Sequence, residues 1–425
     1  MVNFGRTKNY LGDESTIMAN PIRNKNIILG VTGSIAAYKA AELASYLTQQ
    51  DAKITAILTQ AAEQFISPLT FQSVTGHNAL TEESLWGSQG HITHVQIARE
   101  TDLMIIAPAS ANTIAKIAHG IADNLLTLTT LALQCPLIIA PAMDMGMYGH
   151  IATQENVKLL EKRGVHFIGP AEGHLASGLK GKGRMVEALE IAQYSRWLLS
   201  RNNTLKDIHT LVTAGGTREP LDPVRFLSNR SSGKQGFTIA QAALDAGANV
   251  TLISAPTFLN IPFGVNWKSV ETAEEMYQSV MHEIENVDVL IMAAAVADFT
   301  PSKSFTEKIK KEKNKLEVTF NRTTDILTEA GKYKKEKKPD LILVGFAAET
   351  NDLINNAREK LKAKNLDMVV ANDISRKDAG FEVDTNQVSI LFSDKSIEEY
   401  PLMKKEEVAE NIMEHIMKIF QTKKG

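Results

Sequence analysis

One cysteine, Cys135, stands in 425 residues. A single thiol excludes an intramolecular disulfide framework and any metal site built from cysteines alone. It fits a reducing compartment, so the expected location is the cytoplasm. Long hydrophobic runs are also missing. The longest clean apolar stretch, Val289–Ala297, falls far short of the ~20 residues a membrane span needs. Nor is there an excess of charge of either sign: 46 Lys and Arg face 49 Asp and Glu, a formal net charge of -3. That balance argues against a nucleic-acid partner, which would need a broad basic face. The N-terminal stretch has no apolar core of the signal-peptide kind. Residues 1–21 are therefore expected to form a disordered extension, with Met18 as an alternative start.

What is present is an ordinary globular composition, 44% hydrophobic and 22% charged, long enough for two or three domains at ~100–200 residues each. Apolar strand-like runs alternate with helical patterns from residue 26 onward. Strands are expected at 26–31, 53–58, 102–107, 136–140 and 165–168, with helices at 35–50, 120–134 and 152–163 among them. A polar break, "SRNNTLKD", spans 200–207. The pattern then restarts, with strands at 208–213, 249–253, 288–293, 341–345 and 367–371 and helices near 233–246, 273–284, 351–364 and 404–420. Apolar strands alternating with helices indicate parallel sheets covered on both faces. The expected fold class is α/β, with two doubly wound Rossmann-like domains at 22–203 and 204–425. Two lysine-rich stretches, 303–315 and 332–340, interrupt the second. The lysines at 332–338 read as a solvated surface.

In "GVTGSIAAYK", Gly33 and Ser34 sit where a strand turns into a helix. Small residues and the free N–H groups of a helix start favour phosphate there, although an ordinary tight turn reads the same way and the pattern is not GxGxxG. "APASANTIAKIAHGIADNLL" (107–126) brings Ser110, Asn112 and Thr113 to another strand end, and "APAMDMGMY" (140–148) follows the next strand. Loops at the carboxyl edge of an α/β sheet are where ligands bind. His91 lies in the polar stretch "QGHITH", and seven of the ten histidines precede residue 175, which favours proton chemistry in the first half.

"GSIAAYK", "FISPLTFQSVTG", "GHITH", "PASANTIAKIAHGIADNLL", "PAMDMGMY" and "GKGRM" resemble the flavoprotein phosphopantothenoylcysteine decarboxylases in order and spacing. The resemblance implies FMN bound near Gly33, Ser34, Thr59, Ser110, Asn112 and Thr113, with His91 as catalytic base. It also implies oxidation of the substrate thiol to a thioaldehyde, which accepts the electrons left by departing CO2. The protein's part is to position and protonate. Two positions depart from the family pattern. Asp144 stands where an asparagine is usual, so it is either protonated or makes a different contact. Ser177, in the flap "EGHLASGLKGKGRM", stands where the family places a cysteine proton donor. Cys135, in "LQCPLIIA", reads as core packing at the start of a strand. Because both departures fall on catalytic positions, an FMN-binding regulatory or structural role is the competing reading of the first half.

The second half opens with "TAGGTREPLDPVRFLSNRSSGKQG". It continues through "AAAVADF" (293–299), "EKIKK" (307–311), "VGFAAET" (344–350) and "AREKLKAKNLDMVVAND" (357–373). Gly215, Gly216, Ser231, Ser232 and Gly233 read as a phosphate cradle. Lys360 and Lys364, four residues apart on a helix, share a face, and with Lys308 could neutralise a triphosphate. These motifs resemble phosphopantothenate–cysteine ligase. The resemblance implies CTP against Asp298, Lys308, Thr324, Asp325, Ile326, Leu327, Phe346, Lys360 and Lys364, and Asn229 acting on the acyl-cytidylate. A divalent cation, Mg2+ or Mn2+, is implied too; its ligands are not readable. "TTDIL" (323–327) stands where relatives often have "NPDIV", and relatives include users of ATP as well as CTP. The two resemblances together imply one bifunctional protein acting on 4'-phosphopantothenate, cysteine and CTP. They further imply a homo-oligomer, trimer-based in the first domain and dimeric in the second.

Overall fold

The computed structural model describes residues 20–86, 93–310, 316–349, 352–373, 380 and 383–424. The chain divides into two compact units. The N-terminal unit comprises residues 20–206 with 260–265, and the C-terminal unit comprises residues 207–259 and 266 onward. Asn20 and Pro21, expected within the disordered extension, are packed: Pro21 is buried and the Asn20 amide donates to Gln50 Oε1 at 3.0 Å.

In the N-terminal unit the chain runs β1 (Asn26–Val31), α1 (Ala37–Thr48), β2 (Lys53–Leu58), α2 (Pro68–Thr75), α3 (Thr93–Glu100), β3 (Leu103–Ala109), α4 (Ala111–His119) and α5 (Leu125–Leu131). It continues through β4 (Leu137–Pro141), α6 (Met145–Gly149), α7 (Ile151–Lys162), β5 (His166–Phe167), the hairpin β6 (Ala171–His174) and β7 (Lys180–Arg184), and α8 (Ala188–Ser200). The five main strands form one parallel sheet in the order β2-β1-β3-β4-β5. Their apolar runs follow from burial on both faces. Successive strand residues point to opposite sides, so Ile27, Leu29, Val31 and Ile105 pack with Leu43, Leu47 and Ile191 on one side. Ile28, Met104 and Ile106 pack with Ile114, Leu126 and Leu160 on the other. Strand order reverses between β1 and β3, which opens a crevice at the carboxyl ends of those two strands.

Within the expected helix at 120–134 only α5, Leu125–Leu131, is helical. Gly120 ends α4 in the left-handed conformation at φ 68, and Asn124 starts α5 with a capping box whose side chain accepts from the Thr127 N–H. A glycine stop and an asparagine start override the run of apolar residues that spans them.

The C-terminal unit runs β8 (His209–Ala214), β9 (Arg218–Pro220), β10 (Phe226–Ser228), α9 (Lys234–Asp245), β11 (Asn249–Ser254), β12 (Asn266–Ser269), α10 (Ala273–Glu283), β13 (Val289–Met292), β14 (Phe299–Pro301) and β15 (Phe320–Arg322). Then come α11 (Ile326–Lys337), β16 (Ile342–Glu349), α12 (Leu353–Ala363), β17 (Met368–Asp373), β18 (Thr385–Asn386), β19 (Val388–Phe392), β20 (Ile397–Glu399), β21 (Met403–Lys404) and α13 (Lys405–Lys424). Eight strands form one sheet, β12-β11-β8-β13-β16-β17-β19-β20. It is parallel through β17 and antiparallel at β19 and β20. Strand order reverses between β8 and β13, where Gly216 bridges Ala295.

The lysines at 332–338 are not a solvated surface throughout. They lie in α11 and at its end, and Lys334 is buried. Its ammonium meets Asp367 Oδ2 at 2.6 Å, and that same oxygen accepts the Leu343 N–H at 2.7 Å. Burial holds the Lys334 pKa below its ordinary value, against the pull of Asp367.

Candidate functional sites

The reversal in the N-terminal sheet places Gly33 and Ser34 beyond β1 and Ser110 beyond β3, with Thr59 beyond neighbouring β2. Local hydrogen bonds fix each loop. Thr32 Oγ1 donates to Pro108 O at 2.7 Å and accepts from the Ser110 N–H at 2.9 Å, tying the β1 and β3 loops together. Ser110 caps α4, its hydroxyl oxygen accepting from the Thr113 N–H at 3.3 Å. Thr59 caps the next turn, accepting from the Ala62 N–H at 3.2 Å. Ser34, Thr59 and Ser110 remain partly accessible and Asn112 is exposed, whereas Thr113 is buried. Three hydroxyls and the start of α4 thus gather at one sheet edge, a donor set suited to a phosphate and its attached polar groups.

The loop after β4 carries Asp144, which caps α6. The β6–β7 hairpin is the flap, and it lies directly against that loop: the Met143 N–H donates to Gly183 O at 3.0 Å. Gly183 has no room for a side chain, because a Cβ there would fall 2.2 Å from Met143 O. This contact brings exposed Ser177, at the flap tip, to Asp144; the Ser177 hydroxyl donates to Asp144 Oδ2 at 2.6 Å. That bond and the Gly146 N–H hold the Asp144 carboxyl below its usual range. The contact that the structure shows for Asp144 is the one with Ser177. His91 lies outside the described residues. Cys135 is half-buried just before β4, less enclosed than a core residue, and burial pushes its thiol up to about 11.

The C-terminal unit holds a cavity of about 590 Å3 at its strand-order reversal. Asn229, Asp298, Thr324, Asp325, Ile326, Leu327, Phe346, Lys360 and Lys364 all line it. Ser231, Ser232 and Gly233 of the small-residue cradle line it as well, and Gly233 takes the left-handed conformation that opens α9 at φ 80. Asn229 Nδ2 donates to Ala295 O and Val296 O at 3.3 and 3.2 Å. Lys360 Nζ donates to Phe346 O at 2.6 Å, and Lys364 is ion-paired with Asp325 at 2.6 Å. Lys308 is exposed and is not on the cavity wall. Its loop is held elsewhere: buried Asp222 accepts the Ile309 N–H at 3.2 Å, and Arg225 donates to Ile309 O at 3.2 Å.

The sequence reading missed a second polar group in the same wall. Lys234, Gln235, Asn372, Asn386 and Lys405 line the cavity; the first three stand inside motifs quoted above without being singled out, and no motif covers Asn386 or Lys405. The one signal was the "KK" opening the last helix, where cations face the positive end of the helix dipole. Among the described residues no group of three His, Cys, Asp or Glu is gathered to hold a metal ion. Among those residues no helix is long and apolar enough to cross a membrane.

Residues 16–199 match the Flavoprotein family, and residues 205–420 match the DNA/pantothenate metabolism flavoprotein C-terminal domain. The chain is similar to the coenzyme A biosynthesis bifunctional protein CoaBC of Bacillus subtilis, with 44% identity over 93% of this chain and 97% of that one. It is similar to the Escherichia coli K12 protein of the same name, with 39% identity over 95% of this chain and 99% of that one. Among solved structures, the C-terminal domain of a coenzyme A biosynthesis bifunctional protein CoaBC is 38% identical, with a TM-score of 0.44, covering 52% of this chain and all of that one.

Proposed function

The chain belongs to the family of coenzyme A biosynthesis bifunctional proteins, and from that premise we propose that its two units perform successive steps on one phosphorylated substrate. The C-terminal domain, 204–425, ligates cysteine to 4'-phosphopantothenate. The N-terminal domain, 22–203, decarboxylates the resulting 4'-phosphopantothenoylcysteine to 4'-phosphopantetheine. The observation that carries the ligase reading is the cavity at the strand-order reversal, which gathers Asn229, Asp298 and the α12 pair Lys360 and Lys364 from three separate segments.

In the ligase, a carboxylate oxygen of phosphopantothenate attacks the α-phosphorus of CTP, and pyrophosphate leaves. The cysteine amine then attacks the acyl carbon, and CMP leaves. Lys360 and Lys364 stand to neutralise phosphate charge. The Lys364–Asp325 pair places that lysine at the start of α11, where Asp325 also accepts the Thr328 N–H at 3.0 Å. Asn229 presents an amide already oriented by two carbonyls. Asp298 and Asp325 are the carboxylates on the wall, available to a Mg2+ or Mn2+ ion that arrives on the nucleotide phosphates.

In the decarboxylase, Gly33, Ser34, Thr59, Ser110, Asn112 and Thr113 would hold FMN, and their hydroxyls and helix-start N–H groups fit a phosphate-tailed cofactor. Bound FMN supplies reversible oxidation of the substrate thiol. His91 serves as the base, Asp144 contacts the substrate end of the site as a carboxylate, and Ser177 positions the proton that completes the product. The protein works in the cytoplasm as a homo-oligomer.

The test is to incubate purified protein with phosphopantothenate, cysteine and either CTP or ATP, and to identify products by mass. Phosphopantothenoylcysteine and phosphopantetheine with CTP, from a yellow protein carrying FMN, are the expected result. A colourless protein that also fails to bind added FMN defeats the decarboxylase reading. Absence of ligation product with both nucleotides defeats the ligase reading.

A further inference from the structure

Lys39 breaks two local rules at once. It lies in the first turn of α1, where the positive end of the helix dipole disfavours a cation. It is also only 4% exposed, although an ammonium is costly to bury. A methionine would fill similar space without the charge. Glu187 departs from its local rule in a complementary way. It stands at the N-cap of α8, yet its carboxylate makes no capping bond to its own helix. The two side chains meet instead: Lys39 Nζ is 2.9 Å from Glu187 Oε1 and donates to Met185 O at 3.2 Å. The bond from Lys39 holds the Glu187 carboxyl below its usual range.

A second observation places this contact at the base of the flap. Arg184 ends β7, and its guanidinium donates to the same Glu187 Oε1 at 2.7 Å. Arg184 pairs with Ala171 across the hairpin, and its Cδ lies where a Cβ added to Gly173 would be 3.3 Å away. Met185 and Val186 are buried, and Val186 leaves no room for a side chain at Gly169, just before β6. The flap strands thus rest on the short segment 184–187, and Lys39 holds that segment by a carbonyl and a carboxylate. α1 itself leaves the Gly33–Ser34 loop, so one buried side chain joins the helix of that loop to the flap that carries Ser177.

We infer that Lys39 is a positioning residue of the decarboxylase: it fixes the base of the β6–β7 flap to the helix that leaves the Gly33–Ser34 loop, and so keeps Ser177 against Asp144. The inference rests on the decarboxylase reading for what the flap does. The β4 loop holds the flap through Met143 and Asp144, and Lys39 supplies a buried anchor from a different element. A site that loses such support stays present but becomes loose. The initial oxidation of substrate does not call on Ser177, whereas the last proton does, so a loosened flap should be felt late in turnover.

The test uses full-length protein loaded with FMN and two variants, Lys39→Met and Glu187→Gln. Both are expected to keep FMN and ligation. Limited trypsin digestion with mass analysis reads opening of the flap as cleavage after Lys180 or Lys182, two exposed lysines of β7. Cleavage there should be about ten- to hundredfold faster in Lys39→Met, the range for loss of a hydrogen bond to a charged group. Glu187→Gln keeps the bond to Met185 O and should be accelerated less. In a single turnover of phosphopantothenoylcysteine, both variants should consume substrate at nearly the wild-type rate but yield a larger share of oxidised enethiol relative to phosphopantetheine. A merely structural role would lower the melting temperature and leave the cleavage rate and product ratio at wild-type values, and that result overturns the inference. Loss of FMN from Lys39→Met at a wild-type cleavage rate overturns it too, because the role would then lie in the cofactor loop. If Lys39→Met does not fold, Glu187→Gln decides alone: an unchanged cleavage rate and product ratio in it overturn the inference. Failure of the decarboxylase reading appears separately, as FMN-loaded wild type that consumes no phosphopantothenoylcysteine, and the trypsin arm still reads the anchor.

Discussion

The Ser177 hydroxyl donates to Asp144 Oδ2 at 2.6 Å, so the two residues that depart from the decarboxylase pattern contact each other. A carboxylate stands opposite a hydroxyl, and the hydroxyl proton is committed to it. The bond stabilises the ionised carboxyl, as does the Gly146 N–H at 2.9 Å. With its pKa lowered, Asp144 stays charged above the ordinary carboxylate range and is protonated only as pH falls through its lowered value. It therefore does not change charge between pH 5 and 8 and is no source of a proton there.

Ser177→Ala is expected to retain measurable phosphopantetheine formation, slowed by less than the ~10²–10⁴-fold a general acid contributes. A serine hydroxyl is a far weaker acid than the ~8.5 of a cysteine thiol, so Ser177→Cys should be tolerated or faster. His91→Asn should remove nearly all turnover. Mass analysis for an oxidised enethiol product separates these outcomes. Should Ser177→Ala stop at that product as completely as His91→Asn stops the start, Ser177 is the donor.

Asn229→Asp should let the acyl-cytidylate form and accumulate. The side chain loses the N–H groups that reach Ala295 O and Val296 O, and a carboxylate there faces two carbonyl oxygens and the phosphate of the intermediate. Lys308→Gln should impair formation of the intermediate, although Lys308 is not on the cavity wall. If Lys308 serves the nucleotide, Asp222→Ala should produce the same defect more weakly by releasing Ile309. Quenched-flow samples analysed by mass give the order of the steps, and both variants stalling at one point would contradict this division.

The buried pair of Lys334 and Asp367 allows a stability prediction. Asp367 accepts Lys334, the Leu343 N–H and, at 3.1 Å, Lys423. Asp367→Ala leaves a buried ammonium without its partner, and breaking a buried pair this way costs ~3–5 kcal/mol. Denaturant unfolding should show a loss of that size, with much of it recovered in the Asp367→Ala, Lys334→Met double variant. A loss below about 1 kcal/mol would mean that Lys334 finds water.

The strands were legible because burial on both faces demands unbroken apolar runs, and β1 and β2 fall on the residues read from sequence. Strand ends then located Ser34 and Ser110, since α/β sheets place ligands there, whereas Asn229 was singled out only by the ligase resemblance. α11 was not legible: its lysines mask a helix whose inner face needs only Ile326, Leu327 and Ala330, with Lys334 neutralised from a distant strand. Lys405 and Asn386 were hidden for a similar reason. They reach the cavity through the antiparallel return from β17 to α13, a path with no local motif. The Ser177–Asp144 contact depends on how the flap hairpin packs against the β4 loop.

The last prediction concerns Lys405, whose pKa of about 8 lies well under the 10.5 of a free lysine. Desolvation is the main cause, Lys234 adds to it, and Asp384 and Glu406 oppose it. Below about pH 8 the group is protonated whether folded or unfolded, and the folded state bears the net cost of burying that charge. As pH rises through 8 toward ~10.4, the unfolded chain holds a proton that the folded one has released, so this group's contribution to stability rises with pH. Lys405→Met has no such cost. The variant should melt above the wild type at pH 7, by a margin that shrinks as the pH approaches 10. Melting followed by circular dichroism at both pH values checks this. A margin that stays constant with pH would mean that Lys405 keeps an ordinary pKa.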